Sequence, residues 1–145
     1  MSKNIHILLV EDNEGDIVLA QEALHDSKLV NQVSISRDGD EALDFLNRKG
    51  NYQQAELPDL VLLDINMPRV SGMQVLVAMK NDERLKAIPI IMLTTSSSEK
   101  EIKFAYDNHV NCYINKPVDI DRFLEVVKKI EDFWISIVKL PVKEI

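Results

Sequence analysis

The chain holds one cysteine, Cys112, in 145 residues, which excludes an intrachain disulfide. That fits a reducing compartment, and the cytoplasm is the expected location. Four glycines and five prolines are too few for a collagen-like or low-complexity segment, and no internal repeat is visible. Long apolar runs are also missing. The N-terminal "IHILLV" spans six residues including His6, too short for the apolar centre of a signal peptide, and acids follow at once. No run approaches membrane-spanning length. Positive charge is in deficit, with 17 Lys and Arg against 24 Asp and Glu, a formal net charge of −7. That balance argues against a nucleic-acid surface or an anionic membrane as partner. What is present is the composition of a soluble globule, 46% apolar and 28% charged, of a size that suits one compact domain over residues 1–145.

Strand and helix patterns alternate along this domain. "IHILLV" reads as a strand and ends on Glu11 and Asp12. Ile17, Ala20 and Leu24 recur at helical spacing in the segment that follows. "QVSIS" predicts a second strand, and "DGDEALDFLNRKG" a second helix with Gly50 as its stop. "LVLL" is a short apolar run of the kind buried on both faces, and it delivers Asp64 at its tip. A third helix is expected from Gly72 to about Asp82, with Val75, Leu76 and Met79 inward. "IPIIMLTT" predicts the fourth strand and "SSSEKEIKFAYDNH" the fourth helix, with serine caps. "NCYINKP" is a fifth strand ending at Lys116, and Asp119 caps a long last helix. Such alternation implies a doubly wound parallel sheet with helices on both faces. Its working crevice lies at the carboxyl ends of the strands.

The residues handed to that edge are Glu11, Asp12, Asp64, Thr94, Thr95 and Lys116. Each has a plain reading by itself. An acid after a strand often caps a helix, and Asp64 could serve a turn before Pro68. Thr94 suits a turn, and a lysine before proline suits solvent. Convergence changes the reading. Three clustered carboxylates repel one another and call for a cation, and hard oxygen ligands suit Mg²⁺. A lysine opposite would hold an anionic group as a point charge. This is equipment for phosphoryl transfer, with Asp64 as the nucleophile that becomes an acyl phosphate. His6, His25 and His109 stand isolated, and Cys112 reads as a packed strand residue.

"LLVEDN", "LVLLDINMP…SGM", "IIMLTT" and "YINKP" stand in order, with Asp64 and Thr94 30 residues apart and Thr94 and Lys116 22 apart. In this the chain resembles the receiver domain of two-component response regulators, over about residues 4 to 130. The resemblance implies a flavodoxin-like sheet of strand order 2-1-3-4-5. It implies that Asp64 accepts a phosphoryl group from a partner histidine kinase in a Mg²⁺-dependent step. Asp12, Asp64 and the backbone carbonyl of Asn66 would hold the metal directly, and Glu11 would act through water. Lys116 would contact the phosphoryl group, Thr94 would move to bond it, and Tyr113 would follow as the aromatic switch. Asn66 and Ser96 occupy positions that tune the lifetime of the phosphoryl group. Such a protein is a signalling phosphoacceptor with autocatalytic transfer and autodephosphorylation only.

Two other readings fare worse on the residues. An aspartate-nucleophile phosphatase needs a second aspartate two positions on, where this chain has Asn66. A flavin-binding module needs a hydroxyl-rich loop after the first strand, where "EDNEGD" would repel a flavin phosphate. After the receiver span only "IEDFWISIVKLPVKEI" remains, and 131–145 is expected to extend the last helix. Output is therefore expected through protein contacts. The loop "RKGNYQQAELP" and the tail resemble single-domain regulators that partner phytochrome-type histidine kinases. Val126, Phe133, Ile137 and Leu140 form a second apolar stripe beyond the one a sheet-packed helix needs, and it predicts a homodimer.

Overall fold

A computed structural model of the chain describes residues 5–25, 30–67, 69–94, 99–110, 112–115 and 125. The five strands are β1 (Ile5–Val10), β2 (Val30–Ser36), β3 (Leu60–Asp64), β4 (Ile90–Thr94) and β5 (Cys112–Asn115). They form one sheet in the order β2-β1-β3-β4-β5, every adjacent pair parallel. This is the expected doubly wound order. Four α-helices connect the strands: α1 (Glu14–His25), α2 (Gly39–Leu46), α3 (Gly72–Lys80) and α4 (Glu99–Asp107). Of the expected last helix only Glu125 is described, and it is helical; its apolar stripe lies outside the described residues, as do Thr95, Ser96 and Lys116.

β1 and β3 are buried along their whole length, which is why neither shows polar alternation. Their register, Leu8 beside Val61 and Val10 beside Leu63, sorts the apolar side chains into two layers. Ile5, Ile7, Leu9, Leu60 and Leu62 cluster with Ile17 and Leu24 of α1. Leu8, Val10, Val61 and Leu63 cluster with Phe45 and Leu46 of α2, with Val75, Leu76 and Met79 of α3, and with Ala105 of α4. Full burial of each large side chain contributes about 1.5–3 kcal/mol, so these central strands are the rigid part of the molecule.

Several boundaries differ from the sequence expectation. β2 begins two residues earlier, at Val30, and its register shifts opposite Ile5 and His6. It is an edge strand with one neighbour, where an irregular start is tolerated. α2 ends at Leu46, well before Gly50. Arg48 takes the left-handed turn there, at φ 55°, while the Lys49 amide bonds the Asp44 carbonyl and the Arg48 amide bonds that of Phe45. That is the helix-ending pattern usually built on glycine. Its side chain folds across the loop, where Nε donates to the Ala55 carbonyl at 2.9 Å. Gly50 instead opens a short 3-10 turn, Gly50–Tyr52, inside the expected loop. His109 ends α4 in the same left-handed way, at φ 66°. α3 stops at Lys80, two residues short of the expected end, because Asn81 caps it.

Candidate functional site

The strand order reverses direction between β1 and β3, and the carboxyl edge at such a switch point is where doubly wound sheets place their sites. Val10 pairs with Leu63, so the next residues along, Glu11 and Asp64, meet across the switch point. Glu11 is 1% exposed and Asp64 2%, whereas Asp12 is exposed. One carboxylate oxygen from each of the three can be chosen so that all lie within 4.8 Å of one another. Two buried carboxylates beside a third concentrate negative charge where water cannot screen it. The donor set is all hard oxygen, carried at the ends of two buried strands and open to solvent at Asp12. It fits Mg²⁺, which keeps several waters and takes few protein ligands.

The loops after these strands keep the carboxylates in place. Glu11 Oε1 accepts the Asn13 amide at 3.2 Å, and Asp64 Oδ1 accepts the Asn66 amide at 3.1 Å. Capping of α1 falls to Asn13, whose Oδ1 accepts the Asp16 amide at 3.0 Å. Asp12 is thus not the cap of that helix. After Asp64 the chain turns sharply, with the amides of Met67 and Gly72 both bonding the Ile65 carbonyl. Ser71 then starts α3 with a capping box, its Oγ accepting from the Gln74 amide and its own amide donating to Gln74 Oε1.

β4 and β5 continue the same edge. Asp64 pairs with Leu93, which puts Thr94 one residue further out on the neighbouring strand. Thr94 pairs with Asn115, the residue before Lys116. Tyr113 is half-buried and packs against the core cluster on the α2–α3–α4 side. Of the residues singled out from sequence, Glu11, Asp12 and Asp64 are brought together, with Asn66 two residues after Asp64 and its amide on Asp64 Oδ1. Lys116, Val126, Phe133 and Ile137 lie outside the described residues. Sequence reasoning missed Asn13 and the supporting residues Asp38 and Arg69. Asn13 carried a usable signal, an Asx residue three before Asp16 at a helix start. The pairing of Asp38 with Arg69, 2.7 Å apart across separate loops, carried none.

The sequence model of the family described as "Response regulator receiver domain" matches residues 7–128. The response regulator Rcp1 of Synechocystis is 42% identical over 135 residues, spanning 93% of this chain and 92% of that protein. Among solved structures, the phosphorylated cyanobacterial phytochrome response regulator RcpA is similar at a TM-score of 0.81 and 47% identity, over 92% of this chain and 95% of that one. The Mn²⁺-bound form of Rcp1 is similar at 0.81 and 40% identity, over 95% and 99%. These matches favour the receiver over the aspartate-nucleophile phosphatase. Among the described residues no helix is long and apolar enough to cross a membrane.

Proposed function

The chain belongs to the response regulator receiver domain family, and from that membership we propose that Asp64 accepts a phosphoryl group from the phosphohistidine of a partner histidine kinase. The observation that carries the assignment is the convergence of Glu11, Asp12 and Asp64 within 4.8 Å at the β1/β3 switch point. Asp64 ends a strand buried along its whole length, so its carboxylate is aimed with little freedom to reorient. A carboxylate oxygen attacks phosphorus, the bond from phosphorus to the histidine nitrogen breaks, and the imidazole leaves with the electron pair and later takes a proton. An acyl phosphate forms on Asp64.

Glu11, Asp12, Asp64 and the Asn66 carbonyl would hold Mg²⁺. When bound, the ion neutralises the phosphoryl oxygens and the clustered acids. Lys116 contacts the phosphoryl group from the β5 side, Thr94 bonds it, and Tyr113 shifts with Thr94. Asn66 sets access of water to the acyl phosphate. Rcp1 and RcpA support a phytochrome-type kinase as the partner, because RcpA is a phytochrome response regulator. The cytoplasm is where such a kinase would present its phosphohistidine. Residues 1–145 form one receiver, with 131–145 extending its last helix. Val126, Phe133 and Ile137 form the contact of a homodimer, and output runs through protein contacts.

Acetyl phosphate with Mg²⁺ tests the central claim. Mass spectrometry should place one phosphoryl group at residue 64 of the wild type, and none after chelation of the metal or in Asp64→Asn. Phosphorylation of Asp64→Asn at the wild-type rate and at the same position would overturn the assignment. For the dimer, sedimentation equilibrium should show self-association that Phe133→Glu abolishes while Asp64 is still phosphorylated. A wild-type monomer at tens of micromolar, with and without a phosphoryl mimic, would refute it.

A further inference from the structure

The turn from β2 into α2 supplies none of the carboxylates described above, yet four consecutive residues in it each contact Glu11 or a segment that directly follows those carboxylates. The Ser36 carbonyl accepts the Glu11 amide at 3.0 Å. Arg37 Nε donates to Glu14 Oε1 at 2.6 Å, with Nη2 3.4 Å from Oε2, in the first turn of the helix that follows Asp12. Asp38 Oδ2 accepts from Arg69 Nη2 at 2.7 Å. Gly39 lies so close to the β3–α3 loop that a Cβ there would sit 2.2 Å from the Val70 carbonyl oxygen. Ser36 therefore touches the backbone of Glu11, and Arg37 touches the first turn of α1, two residues after Asp12. Asp38 and Gly39 touch the loop carrying Asp64 and Asn66.

We infer that Ser36–Gly39 is a brace that sets the separation of the two metal-binding loops, with Arg37, Asp38 and Arg69 as positioning residues. This rests on the reading of Glu11, Asp12 and Asp64 as a Mg²⁺ site. Two charges of opposite sign stand side by side, Arg37 and Asp38, and each meets its complement on a different segment, Glu14 at the start of α1 and Arg69 in the β3–α3 loop. Arg69 holds a left-handed backbone, φ 61°, which a non-glycine residue keeps only where its surroundings fix it. Asp38 does two jobs, because its Oδ1 also caps α2 through the Glu41 amide at 2.8 Å. The loop carrying Asp64 is thus tied to the start of a helix packed on the core. The arginines are mostly exposed, so each ion pair contributes little by itself.

Charge and positioning make opposite predictions for Mg²⁺ affinity. Removing a cation near a cation site tightens binding by Coulomb's law alone. Loosening the brace weakens it. Calorimetric titration of the full chain with Mg²⁺ should give a dissociation constant about two- to fivefold weaker in Arg69→Ala and in Arg37→Ala. Asp38→Asn keeps a capping side chain and should weaken binding without melting α2. The double variant Asp38→Asn with Arg69→Ala should be no weaker than the worse single one, since both break one contact. Gly39→Ala changes no charge and should also weaken binding. Thermal melting shows whether that variant folds, and if it does not, the arginine variants decide. The acetyl phosphate rate at saturating Mg²⁺ should stay within about twofold of wild type. Equal or tighter Mg²⁺ binding in Arg69→Ala and Arg37→Ala overturns the brace. A wild-type chain that binds no Mg²⁺ overturns the metal site itself, a different result.

Discussion

A Cβ placed on Gly72 would lie 2.2 Å from the carbonyl oxygen of Asp64 and 2.8 Å from the Cα of Ile65. The first turn of α3 rests directly on the backbone that presents the central acid, and only a residue without a side chain fits. Gly72→Ala should therefore push the Asp64–Ile65 backbone. Because the obstacle is backbone, relief by a side-chain rotation is closed. A loss of about 1–3 kcal/mol in urea unfolding is expected, together with slower phosphorylation by acetyl phosphate. Wild-type values of both would refute the contact.

Asp12 is the exposed member of the acid cluster, and Asn13, not Asp12, caps α1. Asp12→Ala should leave helix stability nearly unchanged and weaken Mg²⁺ binding by about tenfold or more, as one of few carboxylate ligands is lost. Paired melting and calorimetry separate the two effects. A large drop in melting temperature with unchanged Mg²⁺ affinity would mean that the residue is structural.

His6 is buried in β1, with Nε2 2.8 Å from Ser34 Oγ and its ring 6.0 Å from that of Phe45. Burial pushes its imidazole below the ordinary 6.5, against the opposing pull of the Asp59 and Glu56 carboxylates. The folded state then binds fewer protons on this ring than the unfolded chain. Stability from this group is present above about pH 6.5 and is lost as pH falls through the depressed folded value. His6→Gln, which does not titrate, should flatten the decline between about pH 7 and pH 5 in urea midpoints. Parallel declines in both proteins would contradict the linkage.

His109 closes α4 with φ 66°, its amide bonding the Tyr106 carbonyl at 3.0 Å and the Val110 amide bonding that of Ala105 at 3.0 Å. Its side chain is exposed. Glycine adopts this conformation freely, so His109→Gly should raise stability by about 0.5–1 kcal/mol in chemical denaturation. A decrease would show that the imidazole makes a contact worth more than the strain.

Periodicity and chemical type were legible in the sequence alone. The unbroken apolar runs before Glu11 and Asp64 announced strands buried on both faces, because burial leaves no face for polar residues. Acids at the tips of those runs pointed to a cation site, and the alternation of elements pointed to a doubly wound sheet. Helix ends were less legible. Gly50 looked like the stop for α2, but the left-handed turn fell on Arg48, held by Ala55. That outcome depends on a loop folding back, which spacing along the chain does not encode.

What the tertiary structure alone decided is how segments far apart in sequence meet. The register of Val10 on Leu63 turns two separate acidic tips into one cluster. The approach of Gly72 to Asp64, and of Gly39 to Val70, gives two of the chain's four glycines a reason that no local motif supplies. Arg37 meets Glu14 and Asp38 meets Arg69, partners 23 and 31 positions away that spacing along the chain does not bring together. Local pattern follows from each residue's own neighbours along the chain. These contacts follow from the crossing of strands and the docking of helices, which exist only once the whole sheet is assembled.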